Sequence, residues 1–503
     1  MLLLLVVFGT GVSGILGTAF GEDGHGRCLR WAREFARNQH AETSPSEPKL
    51  GGTWVSQGCE VRPGPEFLLR KYHFYEDGSF HLQQFFYLDN SCTVPAYALD
   101  AWGKLQLSRP SWVVPGGTEA EAELSRVHVV PYTADMADRI AQRVNRSCPG
   151  QVMRSWRAYR KYRVLSYTEN KTANNIVLED IVCTGGLHVT VNELQLIRIV
   201  HQGPKLFRHQ SEATTAELFL GDIHTDHRKK LSYRPTSYQS SLLDANAPGC
   251  HVCHLVSKAG DQSPPQLPPK PQLPVYLSGQ WLSMRCEVRP LGLFLTRTLW
   301  YHVSNSSWRG WYQYYRDPNC MQPWFLLRVE GIFSRAGPSL RLRGATNYDF
   351  QLLTAEVTPQ DRGIVNNLNS ASEDGRCGGP WFLNRPQDVT LAGGCYLLGL
   401  SVPSTKYEVV KMEVDMYGNA LLFLGDVDTD GGVTLPERRA TAYQTPLIQC
   451  RVFPELVTDN EVYSLPRAQL VSMADAGAPR CRPWKAPLVT LVPLMLIRAT
   501  RAY

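Results

Sequence analysis

Gly52-Thr-Trp54 leads, five residues after the tryptophan, to Cys59-Glu-Val-Arg-Pro63, and Gly279-Gln-Trp281 leads at the same spacing to Cys286-Glu-Val-Arg-Pro290. Each opening is followed by a strand-like aromatic run that closes on another cysteine, Cys92 or Cys320. The far ends match as well. Glu217-Leu-Phe-Leu-Gly-Asp222-Ile-His-Thr-Asp226 parallels Leu421-Leu-Phe-Leu-Gly-Asp426-Val-Asp-Thr-Asp430, then Thr236-x-Tyr-Gln239 parallels Thr441-x-Tyr-Gln444, before Cys250 and Cys450. A period of about two hundred residues lies far above the roughly 20–50 of a solenoid, so a whole globular domain is duplicated. A function must then belong to what the copies share or to where they differ.

The chain of 503 residues gives each copy enough length for its own core. A net charge of +6 with dispersed basic residues argues against a dedicated nucleic-acid binder. Residues 1–21 run from an apolar stretch into small residues, as a cleaved signal peptide does. Thirteen cysteines then read as an oxidising-compartment framework. The glycosylation sequons at Asn145, Asn170 and Asn305 agree with export. Residues 22–50 form a polar N-terminal segment with a short helix around Trp31 to Arg37. The first copy spans 51–253, a Pro-rich linker 254–277, the second copy 278–450 and a stalk 451–485. The linker's prolines suggest a semi-rigid spacer holding two bodies apart. The apolar stretch in 486–503 would reach only about 18 Å as a twelve-residue helix, against about 30 Å of hydrocarbon. It is read as a marginal single-pass anchor, which places the protein on the cell membrane facing outward, or free in the extracellular space if the segment fails to hold.

Strand periodicity dominates both copies. Leu68 to Tyr75, an Asp77-Gly78 turn of the tight primed type and Phe80 to Leu88 read as a hairpin. Phe294 to Val303 and Trp308 to Tyr315 repeat it, with the Asn305 sequon at the tip. Further strands are expected over Leu187 to Val191, Leu194 to Val200, Tyr407 to Met416 and Leu421 to Leu424, and helices only over Ala134 to Val144 and Thr358 to Asn367. The expected fold is all-β with minor α: two tandem, duplicated, antiparallel β-barrel-like domains stabilised by disulfides. Cys59 with Cys92 and Cys286 with Cys320 flank hairpins and are plausible bridges, followed by Cys148 with Cys183 and Cys377 with Cys395. An odd cysteine total leaves one thiol free, or pairing chains into a homodimer.

Motifs that resemble chemistry weaken on comparison of the copies. Asp426-Val-Asp428-Thr-Asp430-Gly431-x5-Glu437 fits a calcium loop, but strands precede it, Pro436 follows it, and the sister copy lacks the glutamate. An acidic turn is the plainer reading. Cys250-His-Val-Cys253-His254 fits covalent haem attachment, yet a disulfide is simpler. Arg154-Ser-Trp-Arg157-Ala-Tyr-Arg160-Lys161-Tyr-Arg163 interleaves basic and aromatic residues, as a solvated face or a site for sulfated glycan or acidic lipid would. No metal or cofactor is expected, and no catalytic motif stands out. A surplus of apolar side chains on the hairpins remains. Phe74, Phe80, Leu82 and Phe86 would share one face and either fill a core or line a barrel that takes one apolar ligand.

The repeated Trp-x4-Cys-Glu-Val-Arg-Pro, the Phe-Leu-Gly-Asp element and the Pro-rich spacer resemble the adenomatosis polyposis coli down-regulated (APCDD) family, nearer its "-like" branch. The resemblance implies a membrane-anchored extracellular glycoprotein of paired β-barrels. It implies inhibition of Wnt signalling through Wnt ligands and their low-density-lipoprotein-related co-receptor, with a pocket for the ligand's fatty acyl chain. On that reading Phe74, Phe80, Leu82 and Phe86 are the pocket residues. The alternative is a surface-masking module with solid barrels and no lipid.

Overall fold

In the hairpin Glu66–Phe74 and Ser79–Tyr87, Phe74 pairs with Phe80, Tyr72 with Leu82, Arg70 with Gln84 and Leu68 with Phe86, so one face of the ribbon is largely apolar. Alternate residues of a strand share a face, and this face turns inward. The computed structural model describes residues 26–41 and 48–453, apart from 151, 153, 168–171, 174–175, 178–180, 203–214, 374–376 and 433–434. A helix, α1 (Gly26–Ala41), precedes eight principal strands: β1 (Gly52–Ser56), β2 (Glu66–Phe74), β3 (Ser79–Tyr87), β4 (Pro95–Pro110), β5 (Thr118–Pro131), β6 (Leu196–Gln202), β7 (Thr215–Leu220) and β8 (Leu242–Asp244). Each pairs antiparallel with the next, and β8 returns to β1, closing a barrel. Helices α2 (Ala134–Ser147) and α3 (His251–Ser257) decorate it.

The second copy repeats the ring with β9 (Gly279–Ser283), β10 (Leu293–His302), β11 (Ser307–Tyr315), β12 (Pro323–Pro338), β13 (Thr346–Pro359), β14 (Ser404–Val414), β15 (Ala420–Leu424) and β16 (Leu447–Arg451), which pairs back to β9. Helix α4 (Arg362–Glu373) corresponds to α2. The fold is the duplicated, disulfide-clamped β-barrel expected from the sequence. Closure removes the open edges that would otherwise template aggregation.

Four local expectations change. Residues 187–191 form no strand: a 3-10 turn at Gly185–Leu187 packs against α2, where a side chain at Gly186 would meet Ser147 Oγ at 2.9 Å. The second helix starts at Arg362, because Thr358 still belongs to β13. The Asp77-Gly78 turn is a longer loop with Gly78 at φ +77°, closed by Gly78 N–H donating to Tyr75 O and Tyr75 N–H to Ser79 O. The Pro-rich linker is no spacer. Its Leu267 N–H donates to Cys92 O, the Tyr87 hydroxyl donates to Pro265 O, and Leu267 joins Phe85, Tyr87 and Cys253 in a core on the outer face of the first barrel.

The shared motif is now legible letter by letter. Trp54 Nε1 and Trp281 Nε1 each donate to the carbonyl four residues earlier at 2.7 Å, pinning the first strand of each barrel. Glu60 and Glu287 hold buried Arg70 and Arg297, with Arg Nε to Glu Oε1 distances of 3.0 and 2.9 Å. Cys59 bridges Cys92, and Cys286 bridges Cys320.

The valine and proline of the motif lie at the other copy, while Arg62 and Arg289 turn back to Glu193 and Glu287 of their own. Val61 and Phe67 pack with Leu342, Ala345 and Val409 of the second barrel, while the counterparts Val288 and Phe294 pack with Val114 and Leu196 of the first. Leu291 N–H donates to Thr236 Oγ1 at 2.9 Å, and Gly64 N–H to Thr441 Oγ1 at 2.8 Å. Thr225 and Thr429 exchange backbone N–H to hydroxyl bonds, both 3.2 Å. Reciprocal contacts of this kind define a pseudo-two-fold seam, an isologous dimer interface built within one chain.

Candidate functional site

Gly103 on β4 sits opposite Phe80, and a side chain there would lie 2.6 Å from the Phe80 ring, so glycine lets the ring lie flat against the wall. Gly331 stands in the same relation to Trp308 in the second barrel. From this shared pair outward the copies diverge. Cross-strand register makes Leu105 and Ala122 partners in the first barrel and Phe333 and Phe350 partners in the second. One step further, Ala120 corresponds to Tyr348. In the second barrel these three rings join Tyr301 and Trp308 in a continuous aromatic plug, with centroid separations of 5.8 Å for Phe333–Phe350, 5.9 Å for Trp308–Phe350 and 5.8 Å for Tyr301–Phe333. In the first barrel the same positions carry a leucine and two alanines. Leu105, Ala122 and Leu124 pack against the interior core yet stay only half-buried. This end of the first barrel is lined by small and aliphatic side chains, where its counterpart is filled by aromatic rings.

Phe74 and Phe80 lie 6.3 Å apart beside these residues and share the inward face with Leu82, all three packed into the core at most 3% exposed. Phe86 does not join them. It stacks on Tyr97 at 4.6 Å on the far side of a polar layer. In that layer Glu193 accepts from Arg62 Nη2 at 3.2 Å, from Gln84 Nε2 at 2.9 Å and from the Tyr72 hydroxyl. Burial opposes ionisation of Glu193, but the Arg62 and Arg70 guanidiniums outweigh it and hold its carboxyl below the ordinary glutamate range. The second barrel places Leu299 and Tyr312 where the first has Tyr72 and Gln84. Glu193 was not singled out in the sequence, because it lies outside every repeated motif.

Two cavities lie between the copies. One of about 100 Å³ sits on the seam, lined by Arg62, Asp222 and Gln239 and their counterparts Arg289, Asp426 and Gln444. Burial, and after it the neighbouring Asp222 and Glu408, lift the Asp426 carboxyl to about 7 against the pull of its hydrogen bond from Val427 N–H and of Arg289. The other, about 950 Å³, opens beside α1 and is lined in part by Trp31, Phe35, Met284, Met416 and Phe423.

The remaining sequence candidates fall as follows. Cys148 bridges Cys183, Cys377 bridges Cys395, Cys250 bridges Cys253 across the first turn of α3, and Cys28 bridges Cys450. The thiols of the haem-like motif are therefore joined to each other. The calcium-like loop serves the seam: Asp430 pairs with Lys229 at 2.6 Å and His224 at 3.2 Å, and Asp428 accepts from Thr225. Among the described residues no group of three or more metal-ligating side chains occurs. Asn145 on α2 and Asn305 at a hairpin tip are exposed. Asn170, the signal-like segment, Cys481 and the apolar C-terminal segment lie outside the described residues. No described helix is long and apolar enough to cross a membrane.

A family model described as adenomatosis polyposis coli down-regulated 1 matches residues 27–268 and 270–453. Among solved structures, the immune modulator A of Aeromonas veronii matches over 82% of this chain and 99% of its own at 10% identity, with a TM-score of 0.17, too low to carry an argument about shared architecture.

Proposed function

Because the chain belongs to the adenomatosis polyposis coli down-regulated 1 family, we propose that it is an extracellular inhibitor of Wnt signalling, a binding protein without a catalytic step of its own. It takes the fatty acyl chain of a lipidated Wnt ligand into the first barrel and withholds the ligand from its receptors. The observation that supports this reading is the unequal side-chain volume at matching positions of the two barrels: Leu105, Ala120 and Ala122 in the first stand where Phe333, Tyr348 and Phe350 pack as rings in the second. Phe74, Phe80 and Leu82 supply the apolar wall. The charged layer of Glu193, Arg62, Tyr72 and Gln84 sets the depth at which the chain stops. Each buried methylene contributes about 0.8 kcal/mol, so even a few of them separate a lipidated ligand from its bare form.

Contact with the low-density-lipoprotein-related co-receptor would use the outer surface and is compatible with an occupied barrel. Tethering to the cell membrane by residues 486–503 would make the protein a local sink for ligand. Native mass spectrometry of the secreted full chain tests the core of the proposal. A mass increment matching one fatty acid, together with binding to acylated but not to delipidated Wnt, is expected. Equal binding to both forms of the ligand, with no lipid retained, would instead favour the surface-masking module with solid barrels.

A further inference from the structure

Residues 154–163 alternate arginine with aromatic side chains. Trp156 and Tyr162 are half-buried, and Tyr159 is 51% exposed. Trp156 stacks on Tyr162 at 4.0 Å with planes 5° apart, and Tyr159 packs on Tyr132 at 5.4 Å while its N–H donates to Pro131 O at 2.7 Å. The arginines face outward: Arg154, Arg157, Arg160 and Arg163 are all exposed. The flanking strand Tyr162–Ser166 pairs with β5 so that Arg163 lies opposite His128, which puts exposed Arg126 on the same outer face, its guanidinium 4.2 Å above the Trp102 ring. Lys161 is tied down by Asp100 and Asp261. Among the described residues none of the five arginines pairs with a carboxylate. Their field is felt by His128: burial first, then Lys161, Arg163 and Arg126, push its imidazole down to about 4 although Asp100 opposes them.

The second barrel is a built-in control. Asn384 N–H donates to Pro359 O at 2.8 Å as Tyr159 does to Pro131, and both residues have positive φ, which aligns Tyr159 with Asn384. Trp156 corresponds to Trp381, the anchor common to both. Arg154, Arg157 and Arg163 correspond to Gly379, Phe382 and Asp388, and His128 to Glu356, which lies opposite Asp388. The scaffold of the loop is kept and Arg160 has its counterpart in Arg385, but the other three arginines give way to a glycine, a phenylalanine and an aspartate. A packing role alone would need the tryptophan and not the arginines.

We propose that this face of the first barrel binds a sulfated polysaccharide, its sulfates held by Arg126, Arg154, Arg157, Arg160 and Arg163. Planar guanidinium forks suit tetrahedral oxyanions, and spaced exposed cations suit a linear polyanion. An acidic membrane is the less fitting occupant, because Trp156 and Tyr162 are spent on stacking against each other and leave Tyr159 as the one exposed aromatic of the segment. The proposal is independent of the acyl pocket.

The test is binding of the purified full chain to immobilised heparin and to chemically desulfated heparin at physiological salt. The triple substitution Arg157→Ser, Arg160→Ser, Arg163→Ser is compared with Arg335→Ser, Arg341→Ser, Arg343→Ser, which removes equal charge from exposed positions of the second barrel. Expected are at least a tenfold loss with the first set, less than a twofold change with the second, and no binding to the desulfated chain. Arg126→Ser, which leaves the loop untouched, is expected to weaken binding two- to fivefold with unchanged thermal unfolding. Equal losses from both triple sets would reduce the effect to net charge and overturn the site. So would tighter binding to phosphatidylserine vesicles than to heparin, or no change on Arg126→Ser.

Discussion

Glu193 and Asp426 are both buried carboxylates, and their surroundings push them in opposite directions. Glu193 is 1% exposed and meets three donors, so its charge is held by Arg62, Gln84 and Tyr72. Removing one partner of such a pair strands the other, at a cost of about 3–5 kcal/mol. Glu193→Ala is accordingly expected to lower unfolding stability by that amount in chemical denaturation, and a loss below about 1 kcal/mol would contradict the buried network. Asp426 has one hydrogen-bond donor in Val427 N–H and a carboxylate neighbour in Asp222, and burial raises it to about 7. The folded chain keeps this proton up to near pH 7, whereas the unfolded chain releases it near pH 4. Stability from this group is therefore fully present at low pH and is lost as pH rises from about 4 through 7. Asp426→Asn is expected to flatten that part of the stability profile and to leave the variant more stable than the parent above pH 7. Thermal unfolding at a series of pH values decides it, and an unchanged slope would remove Asp426 as the cause.

At the scale of elements, hairpins and their cysteines are legible in the sequence, because alternation and turn residues are local signals. Phe74, Phe80, Leu82 and Phe86 do face inward as the period of two requires. The same signal could not show that Gln84 belongs to a polar layer interrupting that face, since its partner Glu193 is more than a hundred residues away in the chain. Nor could it show what covers the outer face of β2 and β3, where the linker and α3 lie. Helix α1 is the least local of all: Cys28 joins Cys450, and Cys28, Leu282 and Ile448 share a small core with Trp31 beside it. Arg27 of α1 also donates to Asn419 of the second barrel. Replacing both cysteines with serine is expected to release α1 to limited proteolysis while the barrels unfold at nearly the parent temperature. A fall of the whole unfolding transition by more than about 10 °C would show that the bridge supports the barrels as well.

The duplication has a division of labour at the scale of the whole molecule. Residues kept in both copies, Glu60 and Glu287, Val61 and Val288, Thr225 and Thr429, build the walls and the seam, so repetition there reflects symmetry. The sequence exposed those residues as shared but not as mutual contacts, because isologous pairing is invisible until the two copies are docked. Residues that differ lie at the end of each barrel and on the loops outside them. The central claim is that the first barrel is open to an apolar chain because it lacks the plug of the second. Exchange of the plug tests it: Leu105→Phe, Ala120→Tyr and Ala122→Phe in one variant, Phe333→Leu, Tyr348→Ala and Phe350→Ala in the other. The measurement is the affinity of each full chain for a fluorescent long-chain fatty acid, with folding checked by thermal unfolding. Displacing about four methylenes from the first barrel costs roughly 3 kcal/mol, about a hundredfold in affinity. The expected result is that loss in the first variant and a gain of binding, or none lost, in the second. Undiminished binding by the folded first variant would contradict the claim.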